Sequence, residues 1–353
     1  MCRAFFMKQL FYLISWIVCL AVLAGCSASE KAMDLRQKSK PEYSIIYIIH
    51  ADASYSYHIN GKRYQADEEV LSEAKQVAAG AKKGEVFIFH QKREKKILGL
   101  FSRKDRRWYH YKNGRLAEQG KYSPEGGGLR KEAEIYQNKS TGKGNNQKVM
   151  LYFGHEVPSE TSLSYHQSRP EQSFDTELFS SQLPLFESFF DLLVLSTCNN
   201  GNPLMMESLH DKAKYVVASP RNLHLSHLSS RKLQLLESQS QVSTEALSDS
   251  IAVDSFEYLS SFLQTRVTVG VYDIPTIHTY LPSYAETYEE HLQTFEQKTL
   301  FRDNTDCVLL DSFKANPIPE RGTKLYHKQP AFGVKEKQAY HSPWGCRNAS
   351  QSN

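Results

Sequence analysis

The sequence predicts an α/β fold: a mostly parallel six-stranded sheet with helices on both faces. Two observations carry this. Six short runs are almost continuously apolar, as strands covered on both sides are: Tyr43–His50, Glu85–His90, Lys148–Gly154, Phe189–Leu195, Lys214–Ala218 and Arg266–Tyr272. Between and after them lie stretches of helical periodicity: Ala66–Ala79, Asp175–Leu185, Leu223–Glu237, Thr244–Leu263 and Ser283–Lys298. Strands that alternate with helices are joined by crossovers, and crossovers make parallel neighbours.

Taken in order, residues 1–25 stand outside this pattern. Arg3 and Lys8 form a positive start, and Leu10–Ala24 contains no charged residue. The segment closes on Leu23-Ala24-Gly25-Cys26, which resembles the bacterial lipobox. That resemblance implies a signal peptide cleaved before Cys26 and lipid on the Cys26 thiol. Acyl chains at about 0.8 kcal/mol per buried CH2 would hold the chain to a membrane. The expected location is the bacterial cell envelope, on the periplasmic or extracellular side. An uncleaved N-terminal anchor is the alternative. Residues 26–42 are polar and read as a tether. No later apolar run is long enough to span a bilayer.

The α/β domain is expected over 43–298, with an insertion at 91–147. Asp67, Glu68 and Glu69 fall in the first turn of the first helix, where the dipole favours acids. From Gln91 to Arg115, ten Lys and Arg residues alternate with aromatic ones, and Asn113-Gly114 is a two-residue turn signal. This is a basic hairpin, expected to be a solvated edge or a patch facing anionic lipid or an envelope polymer. Gly126-Gly127-Gly128 and Ser140–Gln147 read as connectors around a short helix. Residues 299–353 form a loop-rich C-terminal tail.

Charge excludes one class of partner. The chain has 43 basic and 39 acidic residues, too even a balance for a polyanion, so no nucleic acid is expected. Of six cysteines, Cys2 and Cys19 precede the lipobox and Cys26 belongs to it. Cys307 and Cys346 share the tail, and a disulfide between them is the economical pairing in an oxidising compartment. Cys198 is then the odd thiol.

Cys198 lies where the apolar run Phe189–Leu195 gives way to Thr197-Cys198-Asn199-Asn200-Gly201. In open α/β sheets, ligands bind at the carboxyl ends of strands. His50, His90 and His155 end three other runs, so the fold can gather imidazole and thiol at one rim. A thiolate with an imidazole beside it supports nucleophilic catalysis. The same four residues are suitable zinc ligands, although no pair has short-range ligand spacing.

Here the residues resemble a family. A strand ending at His155 is followed 43 residues later by one ending at Cys198. Cys198 lies within Leu193-Val-Leu-Ser-Thr-Cys-Asn-Asn-Gly201, which is followed by Tyr215–Pro220, then Val269–Pro275 and a helix. This order is similar to that of the caspase-fold cysteine peptidases, and within them the clostripain-like peptidases and CHAT domains, over residues 43–298. The resemblance implies a caspase-like fold, a peptide or protein substrate and no cofactor. It makes Cys198 the nucleophile and His155 the general base, with backbone N–H groups at Cys198 and just after His155 as oxyanion donors. Two positions depart from the family pattern. Glu156 stands where glycine usually follows the histidine, and Ser196 where an acid usually receives a basic P1 side chain. Asp52 is a substitute candidate for that acid. A catalytically inactive binding lipoprotein of the same fold is the alternative function.

Overall fold

All six apolar runs form strands of one sheet, and three further strands extend it to nine. The computed structural model describes residues 40–51, 54–92, 96–97, 101–102, 106–123, 128–142, 144, 146–159, 174–239, 242–296, 319, 321–332 and 341–346. Glu42–Asn353 is one unit, distinct from the first 41 residues. The strands of the main sheet are β1 Tyr43–His50, β2 Gly84–Gln91, β3 Arg106–Lys112, β4 Arg115–Tyr122, β5 Gln147–Phe153, β6 Phe190–Ser196, β7 Ala213–Ala218, β8 Val267–Asp273 and β9 Thr323–Lys328. Across the sheet they lie in the order β9-β8-β7-β6-β5-β1-β2-β3-β4.

The five strands from β7 to β2 are parallel, whereas β8, β9, β3 and β4 add antiparallel ladders at the two sides. The sheet is therefore mixed, and larger than the six strands expected. Strand β8 shows why the sequence left its direction open. It is covered on both faces, so its apolar run looks the same whichever way it points.

Among the described residues, six helices of six residues or more flank the sheet: α1 Ala66–Gly80, α2 Arg130–Lys139, α3 Thr176–Gln182, α4 Pro203–Ser208, α5 Thr244–Phe262 and α6 Leu281–Glu296. On one face, Val70 and Val77 of α1 and Leu247 and Ile251 of α5 pack on Ile45, Leu151 and Val194. On the other, Tyr136 of α2, Phe179 of α3 and Met205 of α4 pack on Ile46, Met150 and Leu193. The period of two along each strand divides the side chains between these cores. Each fully buried Leu, Ile or Val contributes about 1.5–3 kcal/mol. Side-chain caps fix where helices start: Asp175 accepts the N–H of Leu178, Asn202 that of Met205, and Ser243 that of Ala246. No helix among the described residues is long and apolar enough to cross a membrane.

The basic hairpin forms the edge of the main sheet: its outer strand β4 is the last in the order and largely exposed, whereas its inner strand β3 is mostly buried. Its turn is the expected one, with positive φ at Asn113 (51°) and Gly114 (73°). But β3 pairs with β2 along its length, Trp108 and Tyr109 are buried, and Arg106 donates to buried Glu132 of α2 at 3.0 Å. Basic composition suggested solvent, but β3 is covered on both faces: Tyr109 joins the α1/α5 core and Trp108 the opposite one. Contrary to expectation, Leu223–Glu237 is not one helix. Residues 219–230 form an irregular loop, followed by a 3-10 turn at Arg231–Gln234 and a helical turn at Leu235–Ser238. Leu223, Leu228, Leu233 and Leu236 all reach the core from this irregular backbone. The tail supplies β9, and a hairpin of His341–Ser342 with Gly345–Cys346 includes the buried Trp344.

Candidate active site

The site begins with a register. Parallel neighbours β5 and β6 pair Val149 with Leu192 and run to Phe153 opposite Ser196, a constant offset of 43 residues. Beyond the last ladder pair, side-chain amides preserve the same offset. Asn199 Nδ2 donates to Glu156 Oε2 at 2.6 Å. Asn200 Oδ1 accepts the N–H of Val157 at 2.8 Å, while Asn200 Nδ2 donates to the Val157 carbonyl at 2.7 Å. His155 and Cys198 carry the same offset and sit between these two sets of contacts.

Both side chains lie on the α1/α5 face. On β5, Val149, Leu151 and Phe153 face that core, and His155 continues the alternation. Its ring centroid is 4.9 Å from that of Tyr55, which also rests on Phe153 at 5.0 Å. On β6, Leu192 and Val194 face the same way, and half-buried Cys198 packs against the core that contains Tyr55 and Phe153. The Cys198 thiol donates to Asn222 Oδ1 at 3.3 Å, and the N–H of Leu223 donates to Cys198 Sγ at 3.3 Å.

The loop after Cys198 is fixed by several independent contacts. Asn199 takes a left-handed φ of 56°, and its N–H donates to the Arg221 carbonyl at 3.1 Å. Asn202, the cap of α4, also donates to the Asn199 carbonyl at 2.8 Å. The Gly201 N–H donates to the Ser219 carbonyl at 2.8 Å, and a Cβ on Gly201 would lie 2.6 Å from the Pro220 nitrogen. No other residue fits there without moving the backbone. The loop behind the thiol is anchored too: Leu228 N–H donates to Ser196 Oγ at 2.8 Å, and Ser230 N–H to Glu73 Oε2 at 2.8 Å. Burial opposes the Glu73 charge, but His227 and then Ser230 outweigh it and hold the carboxyl below its usual range.

The remaining candidates fall in different places. Glu156 is half-buried and held by Asn199, directly beside His155. Ser196 is 1% exposed and its hydroxyl is bonded to the Leu228 N–H, so it anchors a loop rather than lining an open pocket. Asp52, Cys26 and Cys307 lie outside the described residues, and with Cys307 the Cys307–Cys346 pairing. Cys346 ends the small tail hairpin.

The zinc arrangement is not formed. His50 turns to the opposite face, with Nδ1 3.2 Å from the Tyr152 hydroxyl and Nε2 3.8 Å from Glu132 Oε1. His90 stands two strands from β5, with Nε2 3.7 Å from Asp67 of α1. Among the described residues, no group of three or more His, Cys, Asp or Glu could hold a metal ion.

Tyr55, Asn199, Asn200, Asn222 and Leu223 were not anticipated as site residues. For Asn199 and Asn200 a signal existed, since each stands at the ladder's offset from a residue after His155. For the others none did, because their contacts depend on how loops fold back.

No protein-family model and no curated protein matches the chain. Solved structures do. A secreted C11 cysteine protease from Bacteroides thetaiotaomicron, "iotapain", matches at TM-score 0.52 and 13% identity, covering 78% of this chain and 74% of its own. An inactive zymogen C11 protease from Parabacteroides distasonis matches at TM-score 0.48 and 15% identity, covering 77% and 69%. At such identity the likeness is one of fold. The chain has the mixed α/β, caspase-like fold of the C11 (clostripain-like) cysteine proteases.

Proposed function

We propose that this protein is a cysteine endopeptidase of the clostripain type, held at the cell envelope by lipid on Cys26, with Cys198 as nucleophile and His155 as general base. The observation that carries the proposal is the unbroken offset of 43 from the ladder, through His155 and Cys198, to the Asn200–Val157 pair. It supports placing imidazole and thiol side by side on one sheet face, each held by its own loop.

The chemistry follows from those groups. His155 takes the thiol proton as Cys198 Sγ attacks the scissile carbonyl carbon. Backbone N–H groups of Cys198 and Glu156 receive the negative charge on the carbonyl oxygen. As the intermediate collapses, the C–N bond breaks and His155 returns the proton to the leaving amine. Water then cleaves the thioester, releasing the acid and restoring the thiol. The extended peptide is the substrate class such a rim accommodates, and the buried Ser196 supplies no acid for a basic P1 side chain. The test is hydrolysis of a mixed peptide library by the wild-type protein and by Cys198→Ala. Cleavage that disappears in the variant, with the fold retained, is expected; cleavage that persists would overturn the proposal.

A further inference from the structure

Most of the contacts that fix the loop after Cys198 come from neighbouring loops at the strand ends. One comes from the C-terminal tail. Trp344 is 143 residues from Gly201, yet its Nε1–H donates to the Gly201 carbonyl at 2.8 Å. The hydroxyl of Tyr272 on β8 donates to that same oxygen at 2.9 Å. A carbonyl has two lone pairs, and here both are used by buried donors. The indole is fully buried, stacked on Tyr272 at 5.2 Å and 27°, with Tyr284 of α6 at 5.9 Å. An indole so placed contributes its large apolar area and one directed N–H together.

Gly201 has little freedom to move. Its N–H is bonded to Ser219, and the space where a side chain would stand is closed by Pro220 and by the Tyr272 hydroxyl at 2.8 Å. Its carbonyl, the one remaining backbone polar group, points at Trp344 and Tyr272. Three residues upstream is Cys198, and between them Asn200 makes the paired contact with Val157. Anything that shifts Gly201 therefore shifts the residue that holds the His155 strand end in register.

We propose that the hairpin His341–Cys346 is a strap that completes the site, with Trp344 as the positioning residue that sets the Asn199–Gly201 loop and so the alignment of Cys198 with His155. This rests on the dyad proposed above. It assigns the tail a role in the chemistry, although the tail contributes no group to the reacting atoms.

The test uses the full chain and two readouts. Amide hydrogen exchange reports the loop directly, and iodoacetamide alkylation of Cys198, in the presence and absence of His155→Ala, reports the coupling of thiol to imidazole. In Trp344→Ala, protection of residues 199–202 should be lost and the His155-dependent part of the alkylation rate should disappear. Trp344→Phe keeps an aromatic ring in the stack but loses the N–H and part of the indole's buried area, so it should retain the fold and lose part of each signal. Unchanged loop exchange in both variants would overturn the strap. So would lost protection with the His155 dependence intact, which is what a merely structural role gives. If His155→Ala has no effect even with Trp344 present, the dyad has failed, and the exchange result still reports separately whether Trp344 holds the loop.

Discussion

Asn200 and Val157 are joined by two hydrogen bonds, 2.8 and 2.7 Å long, at the offset that pairs Ser196 with Phe153 in the ladder. One side chain thus does for the strand ends what backbone pairing does within the sheet. Asn200 is 1% exposed, so Asn200→Ala would leave a buried N–H and a buried C=O of Val157 without their partner. Each orphaned group costs about 1–3 kcal/mol. The urea midpoint of Asn200→Ala should fall accordingly. A change within error would mean that water or a neighbour replaces the amide.

Much of this was legible beforehand. The continuous apolar runs identified every parallel strand, and the thiol at the end of one of them identified the rim. The direction of β8 was not legible, because a strand buried on both faces carries no asymmetry. Nor was the loop at 219–230, where leucines reach the core from an irregular backbone set by tertiary contacts. The role of the basic hairpin was hidden for a related reason. Composition counts Arg106 as a solvated charge, and only the fold brings buried Glu132 to meet it.

That ion pair gives a second prediction. Glu132 is fully buried and accepts from Arg106 at 3.0 Å and from the Tyr122 hydroxyl at 2.7 Å. Removing one partner of a buried pair costs about 3–5 kcal/mol, because the other charge stays behind. Arg106→Gln should therefore lower the melting temperature sharply. A neutral result would mean that the Arg106–Glu132 pair adds nothing net to the fold.

Acid stability should depend on Glu85. Burial opposes its charge, but the His110 ring at 2.8 Å and then the N–H and hydroxyl of Thr141 outweigh burial and hold its carboxyl below the ordinary 4.5. A depressed acid stabilises the fold at pH above its unfolded value, and that stability is lost as pH falls through the folded value. Urea midpoints should drop as pH is lowered from about 5 to about 3. In Glu85→Gln the midpoint should start lower and the pH slope should flatten; an unchanged slope would assign acid sensitivity elsewhere.

Glu156 is the position where the family pattern and this chain part. Its carboxylate accepts from Asn199 and stands beside the backbone proposed to receive an oxyanion. Glu156→Gly should preserve or raise peptide turnover, since it removes a negative charge from that vicinity. Loss of turnover in a folded variant would show instead that the Glu156–Asn199 bond is needed to seat the loop.

At the other end of the chain, Cys26→Ser should give unlipidated, unprocessed protein. Metabolic labelling with a fatty acid checks this, and label retained by the variant would contradict the anchor.

The central claim is that His155 acts on Cys198. Its most direct measurement is the rate at which iodoacetamide alkylates Cys198 near neutral pH, followed by mass spectrometry of the intact chain, in wild type and in His155→Ala. Cys198 should react faster than an ordinary thiol, and His155→Ala should slow it markedly while the fold is retained. Equal rates in the two proteins would contradict the claim.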